Sequence, residues 1–292
     1  MSYFTGKQFK KRYNTIFFKL TNYNELHHGQ KYHDGLNIDR REFNPSNEYK
    51  CLGMYFTDYN SIRKWISYDS KIMYWIREVI ILDDSQIWVN NGTFRTNKFI
   101  LMDRKYIFDD IQLCKLAVQQ NGRTLKFIEE QTDEICKLAI KQNPFAIQFV
   151  KEKNKDICEL AVKQKGDVLK YIVDQTDEIC KLAIKQNCYA LLFVNEQTEE
   201  LCKLALCLHG NALKYIREQT DEFCKYAVQK HGHALKYVIN QTDEICKLAV
   251  QNNGLALQYV IKQTDEICKL AIKQNFYASW FIKKKDDKLC VF

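Results

Sequence analysis

The sequence predicts an α+β domain at the N-terminus, followed by an all-α solenoid of 22-residue two-helix repeats. Three observations carry this expectation. From Cys114 a cysteine recurs every 22 residues, at 136, 158, 180, 202, 224, 246, 268 and 290, an internal repeat that governs everything after it. Within each repeat the apolar residues return at helical spacing and never alternate with period two. Residues 1–103 show neither feature, and their apolar runs are short and strand-like.

A chain of 292 residues is long enough for about two domains, and the change of pattern puts the boundary at residue 103. Residues 1–103 read as a small α+β domain. The runs TIFFKL (15–20), GMYF (53–56), WIREVIIL (75–82) and KFILM (98–102) are separated by polar turns, while YNSIRKWI (59–66) has a helical pattern.

Residues 104–292 hold about eight repeats and a truncated ninth at Lys288–Phe292. The stretch QTDEICKLAIKQN stands letter for letter at 131–143, 175–187 and 263–275. Alanine keeps the same step from Ala117 to Ala271, and so do the aromatics Phe127, Phe149, Tyr171, Phe193, Tyr215, Tyr237, Tyr259 and Phe281. In the first helix of a repeat, Thr132 is placed to cap the free N–H groups of DEICKLAIKQ, and Asp133 and Glu134 put negative charge at the positive end of the helix dipole. Asn143 and Pro144 end that helix; Gly122, Gly166, Gly210, Gly232 and Gly254 take the Pro144 position elsewhere. The second helix is FAIQFVKE in this repeat. At about 1.5 Å per residue both are roughly 13–15 Å long, too short to stand alone in water, so stacking must hold them. Steps of about 100° gather Ile135, Cys136, Leu138, Ala139 and Ile140 into one apolar stripe and Ala146, Ile147, Phe149 and Val150 into another. Two wide stripes per repeat suit a solenoid in which every hairpin packs on both neighbours.

Equivalent positions in stacked hairpins lie roughly 8–10 Å apart. A disulfide needs Cα atoms within about 7 Å, and a structural zinc needs sulfurs about 2.3 Å from one metal. The cysteine ladder fits neither, so its thiols read as small buried hydrophobes. Cys51, Cys188 and Cys207 fall off the ladder and are the expected accessible thiols. With 12 cysteines and no pairing, the chain reads as a resident of a reducing compartment. The row Lys137, Lys181, Lys203, Lys225, Lys247 and Lys269 suggests a phosphate stripe, but acids such as Asp133 and Glu134 lie a turn earlier on the same helix and neutralise it. The aromatic column falls in the apolar band and reads as core rather than as a base-stacking platform. What varies is the position after the Gly/Pro column, which reads Arg123, Phe145, Asp167, Tyr189, Asn211, His233, Leu255 and Tyr277. Residues that a solenoid fold leaves free on one face are candidates for partner binding, and these eight are the expected partner-binding residues.

Bulk properties narrow the class further. Basic residues exceed acidic ones by 44 to 36, as 15 against 11 through residue 103 and 29 against 25 after it. Charge this diffuse does not point to nucleic acid, which selects Lys and Arg gathered on one face. No apolar run approaches the roughly 18 residues of a membrane span, and IFFKL after MSYFTGKQFKKRYN is too short for a secretory signal; a soluble intracellular protein is expected. His27, His28 and His33 with Cys51 are not spaced to share a helix face and read as turn residues, so no metal is expected. No glycine-rich phosphate loop, Ser/His/Asp set or carboxylate pair in an apolar setting occurs. No catalytic residue and no cofactor is therefore expected.

On its DEICKLAIKQN and ALKYV segments, the repeat resembles the short two-helix repeats abundant in proteins of giant amoeba-infecting DNA viruses. FFKLTN, HDGLNID, FNP and GMYFTD in residues 1–103 resemble the leader domain that precedes ankyrin and other repeats in the same viral proteins. The resemblance implies a location in the host cytoplasm or the virion. A second resemblance is to ADP-ribosyltransferases of the diphtheria-toxin and poly-ADP-ribose type, in the order of a strand ending in KLT (19–21), then HDGLNI, then GMYFTD, a helix and a hydrophobic strand. It implies that Tyr55 matches the tyrosine of the second motif. The pattern departs at Lys19, Leu20 and Thr21, where His-Gly-Thr would stand, and at TFRTNKFIL (93–101), which has no glutamate. The expected function is a non-enzymatic interaction scaffold whose solenoid binds a viral or host protein. The alternative is a degenerate ADP-ribosyltransferase-like domain targeted by the repeats.

Overall fold

The computed structural model describes residues 2–27, 29–41, 43, 53–68, 71–90 and 93–283. The expected truncated repeat at Lys288–Phe292, together with Cys51, His28 and Cys290, lies outside them. The chain forms two compact units, residues 1–151 and 152–292.

The first unit opens with β1 (Ser2–Thr5), α1 (Gly6–Arg12), β2 (Phe17–Thr21), β3 (Leu26–His27), β4 (Gln30–Lys31), β5 (Gly35–Ile38) and β6 (Met54–Asp58). A short 3-10 helix (Tyr59–Lys64) then leads through β7 (Ser67–Tyr68) and β8 (Lys71–Ile72) to β9 (Trp75–Ile80), β10 (Gln86–Asn90), β11 (Thr93–Thr96), β12 (Lys98–Leu101) and β13 (Lys105–Tyr106). Nine strands make one antiparallel sheet in the order β1-β10-β11-β6-β2-β9-β12-β5, with β13 on β9. The four predicted apolar runs are β2, β6, β9 and β12. Their apolar composition reflects placement within the sheet, where strands are covered.

Helix α1, which the sequence reading passed over, closes this core. Thr5 and Gln8 form a reciprocal capping box at its start. Phe9 is fully buried and meets the rings of Phe17, Phe56 and Phe94 at centroid distances of 5.0, 5.9 and 5.6 Å. Edge-on contacts such as those to Phe56 and Phe94 add roughly 0.5–1.5 kcal/mol each to the burial itself.

The repeats supply α2 (Ile111–Gln120) and α3 (Asp133–Gln142) to the first unit. The second contains α4 (Lys155–Gln164), α5 (Asp177–Gln186), α6 (Glu199–Leu208), α7 (Asp221–Lys230), α8 (Asp243–Asn252) and α9 (Asp265–Gln274). Within the second unit each α-helix packs beside the next, and the segments that follow them form a parallel row of their own. The first-helix expectation holds closely: Thr132 accepts from Ile135 N–H at 3.4 Å, and Ile135, Cys136, Ala139 and Ile140 are buried. Leu138 is half-buried.

The second segment differs from the expected α-helix. It is a six-residue 3-10 helix in every described repeat, as in Pro144–Phe149 and Gly166–Tyr171. Bonds such as Ala146 N–H to the Asn143 carbonyl (2.8 Å) and Val150 N–H to the Ile147 carbonyl (3.1 Å) close i to i+3 turns. Extended residues stand at both ends, Asn143 at φ −149° and Val150 at φ −71°, ψ 125°, leaving too few residues for α-helical propagation.

Candidate interaction surface

What holds the repeats in register determines which side chains are left for a partner. Two ladders do this, and the sequence reading missed both. The first is built on Gln175, Gln197, Gln219, Gln241 and Gln263 of the second unit, each just before a helix cap. The Gln241 amide donates to the Tyr259 carbonyl of the next repeat (2.9 Å) and to the Leu235 carbonyl of its own (3.3 Å), while its oxygen accepts from Ile261 N–H (3.0 Å). Gln175, Gln219 and Gln263 repeat this pattern, and in the first unit Gln131 does the same toward Phe149 and Lys151. A half-buried polar side chain thereby pairs backbone groups of two successive repeats.

The second ladder explains the glycines. Gly166 N–H donates to Gln186 Oε1 at 2.6 Å and Gly232 N–H to Asn252 Oδ1 at 2.8 Å, each to the end of the next α-helix. The repeat glycines do not end the helix through a left-handed backbone, since the described glycines with positive φ are Gly29, Gly35 and Gly53. The stop is made by an extended residue, Asn253 at φ −148° for instance, whose side chain accepts from the N–H two residues on. Glycine is needed because a Cβ at Gly232 would come within 2.6 Å of the Ala249 carbonyl oxygen.

The ladder cysteines Cys114, Cys136, Cys158, Cys180, Cys202, Cys224 and Cys246 are buried free thiols, and Cys268 is half-buried. Several point at the glutamine ladder, with Cys180 Sγ 3.6 Å from Gln175 Oε1 and Cys246 Sγ 3.6 Å from Gln241 Oε1. Burial pushes the Cys136, Cys180 and Cys246 thiols up to about 11, with a nearby aspartate adding to each shift. Cys207 is exposed and Cys188 half-buried. Under native conditions thiol reagents should therefore label Cys207 first among the described cysteines, with the ladder reacting only on unfolding; rapid native labelling of Cys136 or Cys180 would contradict this. Cys136→Ser should cost roughly 1–3 kcal/mol through burial of a hydroxyl, and Cys136→Ala less, both read by denaturant melts. Among the described residues no three His, Cys, Asp or Glu side chains are grouped to hold a metal.

Four lysines of the helix-borne row are ion-paired, three of them with the neighbouring helix rather than with their own. Lys181 pairs with Glu200 at 3.0 Å, Lys225 with Glu244 at 2.7 Å and Lys247 with Glu266 at 2.7 Å, while Lys203 pairs with Glu199 on its own helix.

The eight variable residues lie on the 3-10 segments. Arg123, Asn211, His233 and Tyr277 are exposed; Phe145, Asp167, Tyr189 and Leu255 are half-buried. The aromatic column is corrected: Phe149, Tyr171, Phe193, Tyr215, Tyr237 and Tyr259 are half-buried rather than core. The two columns meet in the second unit. Tyr189 packs edge-on against Phe193 (5.3 Å) and against Tyr215 of the next repeat (5.0 Å), and His233 against Tyr259 (5.7 Å). Lysines unremarked in the sequence reading sit over these rings: Lys170 lies 4.9 Å from the Tyr171 centroid and Lys214 4.7 Å from that of Tyr215. Two residues past the aromatic column, Val173, Ile239 and Ile261 are 80%, 72% and 68% exposed.

In the sheet domain a cleft of about 260 Å³, counting its open mouth, is lined by residues that include Phe18, Leu20, Tyr55, Thr57, Trp65 and Met73. Lys19 also borders this cleft, but cross-strand register puts Phe18 opposite Thr57, so the Lys19 side chain extends to the other side of the sheet. There its amine lies 4.3 Å from the Tyr32 ring centroid, and burial lowers its pKa to about 7. None of the described residues lining the cleft is acidic, and nothing there supports the transferase alternative.

The fold and this surface define a repeat protein with a sheet-rich N-terminal region and regular 22-residue helix-turn units. Residues 132–175, 154–198 and 242–285 match the family described as Domain of unknown function (DUF4116), and the homologues are giant-virus proteins. A protein of Acanthamoeba polyphaga mimivirus that carries an ankyrin-repeat name is 35% identical over 78 residues, 26% of this chain and 37% of its own length. An uncharacterized protein of the same virus is 28% identical over 109 residues, 36% of this chain and 76% of its own length. The chain thus spans about a third of the first of these relatives and about three quarters of the second. No solved structure matches the chain.

Proposed function

We propose that the chain is a non-enzymatic interaction scaffold whose repeats bind another protein, viral or host, without a cofactor, in the host cytoplasm or the virion. One observation carries this reading. The ladders use columns that are mostly glutamine or glycine, whereas Arg123, Phe145, Asp167, Tyr189, Asn211, His233, Leu255 and Tyr277 remain wholly or partly accessible on the 3-10 segments. The ankyrin-repeat name of one relative supports it. The sheet domain would set where, or with which partner, the repeats act.

Replacing Phe145, Tyr189 and Tyr277 together by alanine should abolish capture of the partner from infected cells while leaving the far-UV helical signal intact. Truncating an aromatic anchor at an interface typically costs about 2 kcal/mol or more, so three losses are readily seen. Unchanged capture would move the interface off the variable residues.

A further inference from the structure

We propose that the lysine–aromatic strip of the second unit takes an acidic, extended polypeptide segment. This deepens the scaffold reading and rests on it, by assigning the chemistry of the partner.

The 3-10 geometry creates the strip. Side chains three apart eclipse one another in a 3-10 helix, so the variable residue and the residue three later form one outward edge: Asp167 with Lys170, Tyr189 with Leu192, Asn211 with Lys214, and His233 with Lys236. The 3-10 segments of successive repeats pack side by side, which joins these edges into a strip crossing the repeats. A ligand lying along it meets a lysine at three of these four edges.

Charge decides what that ligand is. On the four edges Lys170, Lys214 and Lys236 are exposed, and the one acid, Asp167, is half-buried and accepts from the Asn187 amide at 2.8 Å. The α-helical row is the internal contrast, because Lys181, Lys225 and Lys247 each already hold a glutamate. No carboxylate pairs with Lys214 or Lys236 among the described residues. Both instead lie over rings, Lys214 at 4.7 and 5.6 Å from the Tyr215 and Tyr237 centroids and Lys236 at 5.7 Å from that of Tyr237. An ammonium held on an aromatic face keeps its outward N–H groups for an anion and gives up less rotamer freedom on pairing.

The same contacts favour carboxylates over nucleic acid. Bases bind such surfaces by stacking on open ring faces. Here lysines lie over the faces of Tyr171, Tyr215 and Tyr237, and Tyr189 meets its neighbours edge-on. Leu192, 42% exposed, gives aliphatic contact between the Lys170 and Lys214 rungs, and the half-buried Leu255 gives it just past Lys236, which suits a chain carrying both acidic and apolar side chains.

The test uses the full-length protein with fluorescent polyglutamate, an alternating Glu-Leu peptide and oligo-dT of matched charge, followed by anisotropy. The acidic peptides should bind more tightly than oligo-dT and weaken with salt. Lys170→Gln, Lys214→Gln and Lys236→Gln together should weaken binding about tenfold or more, as expected for three lost ion pairs. Lys181→Gln, Lys225→Gln and Lys247→Gln together, with the same change in net charge, should leave it within about twofold. Preference for oligo-dT, equal loss in both triple variants, or no binding of acidic peptide would each overturn the proposal. Partner capture that survives the first lysine triple but is lost with Phe145, Tyr189 and Tyr277 would sink this inference and leave the scaffold standing; capture indifferent to both sets would sink both.

Discussion

Replacing Gly232 by alanine should destabilise the repeat tract by about 2–4 kcal/mol, the sum expected for overpacking and a lost inter-repeat hydrogen bond. The added Cβ would stand 2.6 Å from the Ala249 carbonyl oxygen and 2.8 Å from Asn253 Cβ, both closer than the 3.0 Å that real Cβ atoms respect. One of these neighbours is a backbone atom and the other a Cβ, so no rotamer change relieves the clash. The repeats must separate, and the Gly232 N–H bond to Asn252 Oδ1 lengthens with them. The chain itself supplies the comparison. Cys188 occupies the same column with a Cβ, and the helix after it carries Leu208 where α8 carries Asn252. In that pair of repeats a Cβ stands opposite a residue with no side-chain acceptor. Gly232→Cys should therefore be as damaging as alanine alone, and should recover part of the loss when combined with Asn252→Leu. Denaturant melts followed in the far-UV measure all three. An alanine variant within about 0.5 kcal/mol of the parent, the range of an ordinary surface change, would remove close approach as the reason for glycine.

The repeat was legible because it is written in covalent spacing, and the first helix because its signals are local. Thr132, Asp133 and Glu134 stand in sequence where they stand in space, and the apolar wheel through Ile135, Cys136, Ala139 and Ile140 matches their burial. The second segment was misread through its period. At the three residues per turn of a 3-10 helix, Ile147 falls in line with Pro144 and Val150 on the buried edge, Phe145 with Gln148 on the open one, and Phe149 with Ala146 between them. A 100° wheel blurs these three edges and sends Phe149 into the core. The glutamine column was visible as a column, but its partners lie 18 and 20 residues away; by position alone Gln241 is a polar residue before a cap. The variable column was found by its lack of pattern, and nothing in sequence showed that Lys170, Lys214 and Lys236 share its edge.

In the sheet domain, legibility followed burial. Strands β2, β6, β9 and β12 announce themselves as apolar runs. QIWVN and TFRT, which become β10 and β11, are diluted by polar residues, although the Asn91-Gly92 pair between them is a hairpin signal. Helix α1 was hidden in the basic segment GKQFKKR, whose buried side chain is the single aromatic Phe9. The resemblance that set Tyr55 beside Lys19 also met its limit in the fold: both residues border the cleft, but alternation along β2 sends the Lys19 amine to the Tyr32 ring on the other face of the sheet.

Gln241→Met, which keeps the volume and removes the polar atoms, should cost about 1–3 kcal/mol, since it leaves the Tyr259 carbonyl and Ile261 N–H without their partners at a half-buried contact between repeats. Gln241→Glu separates the two sides of the ladder. A carboxylate can still accept from Ile261 N–H, but it cannot donate to the Tyr259 and Leu235 carbonyls and sets negative charge against both oxygens. At neutral pH this variant should be at least as unstable as the methionine one. Half-burial and two facing carbonyls disfavour the charged form, so the introduced carboxyl has a higher pKa folded than unfolded. Its protonated form, which restores one donor, is favoured by the native state. The penalty should therefore be smallest below the unfolded glutamate range of about 4.3 and grow as pH rises through the folded value. Melts of the parent, Met and Glu variants from acid to neutral pH would show the Glu curve converging on the parent at low pH while the Met deficit stays constant. A Glu deficit that does not move with pH would mean that the donor side of Gln241 contributes nothing, and that the N–H acceptor alone keeps one repeat in register with the next.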